Sequence, residues 1–304
     1  MARKLCKGDL MDFKKIELSD QEIIKPFIQQ EKFNISDISF ANLFLWKNAR
    51  EIAYCIIEDC LVIQTTYTGK RPYYFFPIGS GNKLLASQTL LEFCRSKQET
   101  LEFHSLESAS LDFLKTHFKL EFFLNRDRSD YVYSIAELIA LAGRKYHKKK
   151  NHLNKFLQTY PDYVYEPISV HNAEEIIATY ELWFNQNSNI TLGLQNEKNG
   201  ISDALRHWNM LDLQGGVIRV ENKIVAFSFG ERINEEMAVI HIEKADPNIS
   251  GAYQIINQQL LKNAFADLKY ANREEDLGIE GLRRAKMSYN PVFLVDKYEA
   301  VIQN

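Results

Sequence analysis

Proline and glycine are scarce, at 7 and 13 in 304 residues. That excludes a collagen-like repeat and a Pro/Gly-rich disordered chain. The four cysteines, Cys6, Cys55, Cys60 and Cys94, form no Cys-x-x-Cys pair and no zinc-like Cys/His spacing. A disulfide scaffold is excluded, and free thiols in a reducing compartment are expected. No stretch approaches the ~18 uninterrupted apolar residues of a membrane span. The segment MARKLCKGDLMDF has no signal-peptide apolar core. A cytoplasmic, soluble protein is therefore expected. Neither charge dominates: 37 basic against 40 acidic residues give a net charge of −3. No global field selects nucleic acid, so such a partner would need a local patch. There is no Gly-x-Ser-x-Gly elbow, Walker loop, Gly-x-Gly-x-x-Gly or His-Glu-x-x-His. His147 and His152 stand about 140° apart around a helix, so they form no helical metal pair. No metal is expected.

What is present is ordinary globular material, 45% hydrophobic and 12% aromatic. At ~150 residues per domain the length predicts two domains. The pattern along 12–135 reads β, α, α, β, β, β, α, β, α, β, β, with a hairpin turning at Glu58-Asp59. The rest reads β, α, α, β, β, β, α, β, α, β after an opening basic helix over 137–160. Residues 185–200 are polar and loop-like, and Ser202 caps the helix that follows. Gly215-Gly216 breaks that helix. Three antiparallel strands then turn at Glu221-Asn222-Lys223 and Ile233-Asn234-Glu235. Residues 1–135 and 136–304 are thus predicted to be two tandem domains of one α/β (α+β) architecture, with mixed, mostly antiparallel sheets flanked by helices.

The stretch 237–265, MAVIHIEKADPNISGAYQIINQQLLKNAF, organises the second half. An apolar strand ends in a glycine-containing turn that opens a helix. Backbone N–H groups and the helix dipole converge there, as an anion site requires. The order resembles the GNAT acyltransferase fold, in which this turn holds the donor's pyrophosphate. Two copies in tandem resemble Fem-type peptidyltransferases. Three segments, GRKYHKKKNHLNKF, EKADPNISGAYQIINQ and NREEDLGIEGLRRAKMSYNP, resemble largely uncharacterised bacterial proteins placed beside the C-terminal domain of phosphatidylglycerol lysyltransferase.

The resemblance implies a transferase that moves an acyl or aminoacyl group onto an amine, with donor contacts at Ile249, Ser250, Gly251, Ala252 and Tyr253. The usual donor loop is Arg/Gln-x-x-Gly-x-Gly/Ala. Here a single glycine is followed by Ala252 and Tyr253. That departure, with the basic helix, turns the expected donor from a coenzyme A thioester towards an aminoacyl-tRNA. No tightly bound cofactor is expected.

His241 and Glu243, two apart on a strand, are expected to share one face and to supply a base. Tyr289 lies just before Pro291, where in the fold this chain resembles a tyrosine protonates the leaving group. Asn272, Glu275 and Asp276 would receive a cationic amine, and Arg144, Lys145, Lys148 and Arg283 would meet phosphates or tRNA. The alternative from the same residues is a non-catalytic tandem module that binds RNA or a protein partner.

Overall fold

The computed structural model describes residues 11–303. Cys6 lies outside them. Among the described residues Cys55, Cys60 and Cys94 are free thiols, and burial pushes Cys55 up to about 12. No helix among the described residues is long and apolar enough to cross a membrane.

In chain order the elements begin with β1 (Lys14–Lys15), α1 (Gln21–Ile28), α2 (Phe40–Trp46), β2 (Glu51–Ile57), β3 (Cys60–Thr66) and β4 (Tyr73–Tyr74). Next come α3 (Lys83–Ser96), β5 (Glu102–Leu106), α4 (Ser108–His117), β6 (Leu120–Leu124), β7 (Asp130–Ser134), α5 (Ile135–Ala140) and α6 (His147–Thr159). β8 (Val164–Pro167), α7 (Ala173–Asn185), α8 (Leu192–Arg206), β9 (Gln214–Val220), β10 (Lys223–Arg232) and β11 (Met237–Ala245) follow. The last are α9 (Ala252–Ala264), β12 (Tyr270–Asn272), α10 (Glu280–Met287), β13 (Phe293–Val295) and β14 (Tyr298–Ile302).

These elements form two compact units. One holds the described residues up to 31, then Arg50–Asn125 and the residues from Lys297 on; the other holds Lys32–Ala49 and Arg126–Asp296. Each has a seven-stranded, mostly antiparallel sheet, in the orders β1-β2-β3-β4-β5-β14-β6 and β13-β7-β12-β11-β10-β9-β8. β2 and β3 meet at Glu58-Asp59, both in the left-handed conformation that a two-residue hairpin turn needs. Glu221 and Asn222 do the same between β9 and β10. In the first unit, α3 and α4 cover a core of Tyr74, Leu90, Cys94, Phe103 and Leu114. In the second, α5, α6 and α9 cover Tyr131, Tyr133, Phe156, Ile256, Leu260 and Phe265. Burying each such side chain contributes about 1.5–3 kcal/mol.

The second sheet follows the strand order predicted for it. β9, β10 and β11 are antiparallel, α9 crosses over, and β12 returns parallel to β11.

Several sequence expectations change here. The helix predicted over 137–160 is broken. α5 stops at Leu141 (φ 44), Gly143 (φ 85) redirects the chain, and α6 starts at His147. The loop predicted over 185–200 contains most of α8, capped by Thr191 rather than Ser202. Its apolar content is too thin to show a period. The helix is held by packing: Gly200 lets it lie against Leu45, whose carbonyl oxygen would be 2.2 Å from an added Cβ. Gly215 and Gly216 are part of β9, where Ile168 and Tyr165 fill the space of their missing side chains.

Candidate active site

β11 and β12 keep parallel register only at Met237↔Tyr270, Ala238↔Ala271 and Val239↔Asn272. β11 runs on to Ala245 while β12 ends at Asn272. The strands therefore part, and the residues beyond the last pair border an opening.

His241 and Glu243 do not share a face. β10 and β11 slip register between Phe229 and Gly230, so Ile242 sits opposite Phe229 but Ile240 opposite Gly230. His241 is the extra residue of this β-bulge. Glu243 pairs with Ser228, whereas His241 bonds Glu231, three residues further along β10 and so on the other face. His241 is buried, with Nε2 and Nδ1 each 2.8 Å from a carboxylate oxygen, of Glu231 and Glu274 respectively. Burial works against its charge, but the two carboxylates outweigh it and raise its pKa to about 9. It is an imidazolium with both nitrogens engaged, which is the wrong state for a base.

On the α9 face Glu243 accepts from Asn257 Nδ2 and Arg273 Nη2, both at 2.9 Å. Arg273, the first residue after β12, is mostly buried. Its Nη1 has no hydrogen-bond partner among the described residues. Its guanidinium carbon is 4.7 Å from the Tyr289 ring centroid and 5.6 Å from that of Tyr133. Tyr289 accepts from Gln254 Nε2 at 3.1 Å, and the Lys149 ammonium lies 4.0 Å from its ring centroid. Burial raises the Tyr289 pKa, although Arg273 opposes this, so the phenol keeps its proton at neutral pH. Burial, then the Arg273 charge, lowers the Lys149 pKa. The same two causes bring Lys286 to about 8; it donates to the Arg273 carbonyl oxygen.

The predicted donor turn is largely closed by its own packing. The Asn248 N–H goes to Asp246 Oδ1 at 2.8 Å, Ile249 N–H to the Asp246 carbonyl at 3.1 Å and Ala252 N–H to the Ile249 carbonyl at 3.2 Å. Gly251 (φ +86) faces α6: an added Cβ would stand 2.3 Å from the His152 carbonyl oxygen. The glycine serves a helix crossing. Ser250 is exposed, Ala252 is buried and Tyr253 is 42% exposed.

The predicted acceptor residues are mostly taken up by other groups of the fold. Asn272 is buried, donating to the Asn34 carbonyl oxygen and Asp130 and accepting from the Glu274 N–H. Glu275 pairs with Arg128 at 2.9 Å. Asp276 accepts from Arg283, Tyr131 and the Gly278 N–H; these outweigh burial and hold it well below the usual carboxylate range. Arg283 is thus committed to Asp276 and Asp127. Arg144 and Lys148 are exposed. Lys145 pairs with Glu137 at 2.9 Å and lines a pocket of about 420 Å³ with Lys269, Tyr270 and Asn290.

Sequence reasoning singled out neither Arg273 nor, within the basic helix, Lys149. A signal was available for Lys149. Its helix neighbours Tyr146, Leu153 and Phe156 are on the apolar side, and 149 falls on that stripe.

The family model described as the C-terminal domain of phosphatidylglycerol lysyltransferase matches residues 29–301. A conserved protein of unknown function from Bacteroides thetaiotaomicron has a crystal structure 35% identical in sequence. Its TM-score is 0.89, over 96% of this chain and 100% of that one. L-PGS from Bacillus licheniformis is 17% identical with a TM-score of 0.68, over 96% and 93% of the two chains. An uncharacterised protein of Mycoplasmoides gallisepticum is 21% identical over 252 residues, 78% of this chain and 77% of that protein. With nearly its whole length matched, the chain belongs to the family of the phosphatidylglycerol lysyltransferase C-terminal domain.

Proposed function

We propose that the protein is a transferase that moves an aminoacyl group from tRNA onto an amine acceptor, at the opening between β11 and β12. The observation that carries this reading is the early end of the parallel pairing, with Glu243, Arg273 and Tyr289 gathered just beyond it. Catalysis there is positioning combined with proton movement. Tyr289, protonated because it is buried, donates to the departing ribose oxygen. Lys149 lies against the Tyr289 ring, and the proton released as the amine attacks the acyl carbon leaves to solvent through the opening. Glu243 holds Arg273 in place.

The donor turn supports the choice of donor. Three of its N–H groups are used internally and its glycine is taken up by α6, which leaves a poor cradle for a coenzyme A pyrophosphate. The exposed Arg144, Lys148, Lys150 and Lys155 supply the concentrated positive charge that a nucleic-acid backbone needs. The matching family's description names a lysyl transfer, which is aminoacyl chemistry. An aminoacyl-tRNA donor also places the protein in the cytoplasm. The shared strand-turn-helix-strand order supports reading the units as two copies of one module, the second of which keeps the chemistry.

The test is to incubate the protein with aminoacyl-tRNA or acetyl-coenzyme A and a panel of amines, reading products by mass spectrometry. Aminoacylated amine is expected, and lost in Tyr289→Phe. Binding of tRNA with no acyl transfer from either donor would leave the binding-module reading in its place.

A further inference from the structure

A buried guanidinium nitrogen without a partner is the most conspicuous unmet polar group of this opening. Arg273 spends Nη2 on Glu243 and leaves Nη1 unpaired among the described residues, out of contact with solvent. The Tyr289 hydroxyl borders the same guanidinium. A second cation, Lys149, lies against the same tyrosine ring and pairs with no carboxylate among the described residues. On the α9 face two cations therefore meet one carboxylate, Glu243. Lys286 cannot redress the balance, being itself a cation held on the Arg273 carbonyl oxygen. The carboxylates that could do so, Glu231 and Glu274, are on the opposite face and held by His241. One positive charge is left uncompensated beside an N–H donor that suits a planar or tetrahedral oxygen acceptor.

We propose that the opening holds a singly charged oxyanion, a carboxylate or a phosphodiester, between Arg273 Nη1 and the Lys149 ammonium. This deepens the transferase reading on which it rests. It gives one of the two substrates an anionic group close to the reacting centre.

The probes are N-acetylglycine for the carboxylate, dimethyl phosphate for the phosphodiester and N-acetylglycinamide as a neutral control. Each is added to the full chain and read by thermal melting and by NMR of 13C-methylated lysines, with Lys149→Met assigning the resonance. One of the two anions is expected to raise the melting temperature and shift the Lys149 titration to higher pH, while the amide does neither. Which anion succeeds identifies the source. Arg273→Gln is expected to abolish the response. Arg273→Lys, which keeps the charge, is expected to weaken binding about tenfold, the loss of one oriented charge-assisted hydrogen bond. Silence from both anions, or a response that survives Arg273→Gln, overturns the proposal. Transfer activity indifferent to Arg273 would overturn it while sparing the transferase reading. Anion binding without transfer would do the reverse.

Discussion

The two units pass through the same sequence of moves and arrive at different chemistry. In each, a strand leads through a glycine turn into a helix, and a parallel strand returns: β4, α3 and β5 in one, β11, α9 and β12 in the other. In both turns the glycine admits a backbone carbonyl. An added Cβ would meet the Glu58 oxygen at 2.3 Å at Gly81 and the His152 oxygen at 2.3 Å at Gly251. The helix starts differ. The Asn82 side chain caps α3 by accepting from the Leu85 N–H at 3.0 Å, while α9 begins at Gly251 with no side-chain cap. What borders the returning strand differs more. Tyr74 and Phe103 fill the first unit's core with carbon, whereas the second unit surrounds the same place with Arg273, Glu243, Lys149 and Tyr289. Each unit also sets a histidine between two glutamates. His104 reaches Glu102 and Glu299 at 3.7 and 3.5 Å through one nitrogen and is partly exposed. His241 uses both nitrogens at 2.8 Å and is buried. One backbone plan thus supports an apolar core or a polar cleft, and the side chains after the crossover decide which.

The largest expected effect separates the two histidines. His241→Leu leaves two buried carboxylates unpaired and is expected to cost about 3–5 kcal/mol in urea unfolding. His104→Gln, at a longer and wetter pair, is expected to cost about 0–1 kcal/mol. Equal costs would break the comparison. The pH dependence follows from the raised pKa of His241. Its stabilisation is fully present below about 6.5, its unfolded value, and is lost as pH rises through about 9. Glu274, raised by burial, has the same sign. Wild-type stability should therefore fall between these limits, read by urea unfolding at a series of pH values.

Next is Gly251→Ala. A Cβ in the left-handed region costs about 1–2 kcal/mol and overpacking against α6 about 1–3 more. Gly69 (φ +73) has nothing within 4 Å, so Gly69→Ala should show the conformational cost alone. Thermal unfolding of both variants sharpens the claim that the turn glycine serves packing.

Tyr289→Phe should lower the transfer rate by about a hundredfold or more, the usual share of a general acid, with a melting temperature close to wild type. Tyr74→Phe, beside the first unit's crossover, should leave the rate unchanged. A rate that fell equally in both would place chemistry in both units.

The smallest effect is stabilising. Asp59 holds φ 59 in its hairpin turn. Asp59→Gly removes that strain and should add about 0.5–1 kcal/mol, read as a small rise in melting temperature.

Much of the fold was legible because apolar period and turn chemistry agree locally. Glu58-Asp59 and Glu221-Asn222 each separate two β-rich runs, and both prove to be tight hairpins. α8 was not legible. Its sequence LGLQNEKNGISDALR carries two glycines and few apolar residues, and its helical state depends on packing against Leu45. The strand bearing His241 and Glu243 was legible, but their faces were not. A bulge depends on how two strands pair, and that is invisible along either one. Tyr289 was singled out through the fold resemblance and its place before Pro291. Arg273 escaped because a lone arginine after a strand looks like any surface arginine until a second strand diverges from it.

β14 has a consequence for how the protein is made. It lies inside the first sheet, between β5 and β6, yet it leaves the ribosome after every strand of the second sheet. The unit begun first is finished last. Throughout synthesis of the second unit, β5 and β6 present unsatisfied backbone edges, the state in which nascent chains aggregate or recruit chaperones. Vectorial translation therefore puts the greatest biogenesis risk on the unit without the polar cleft.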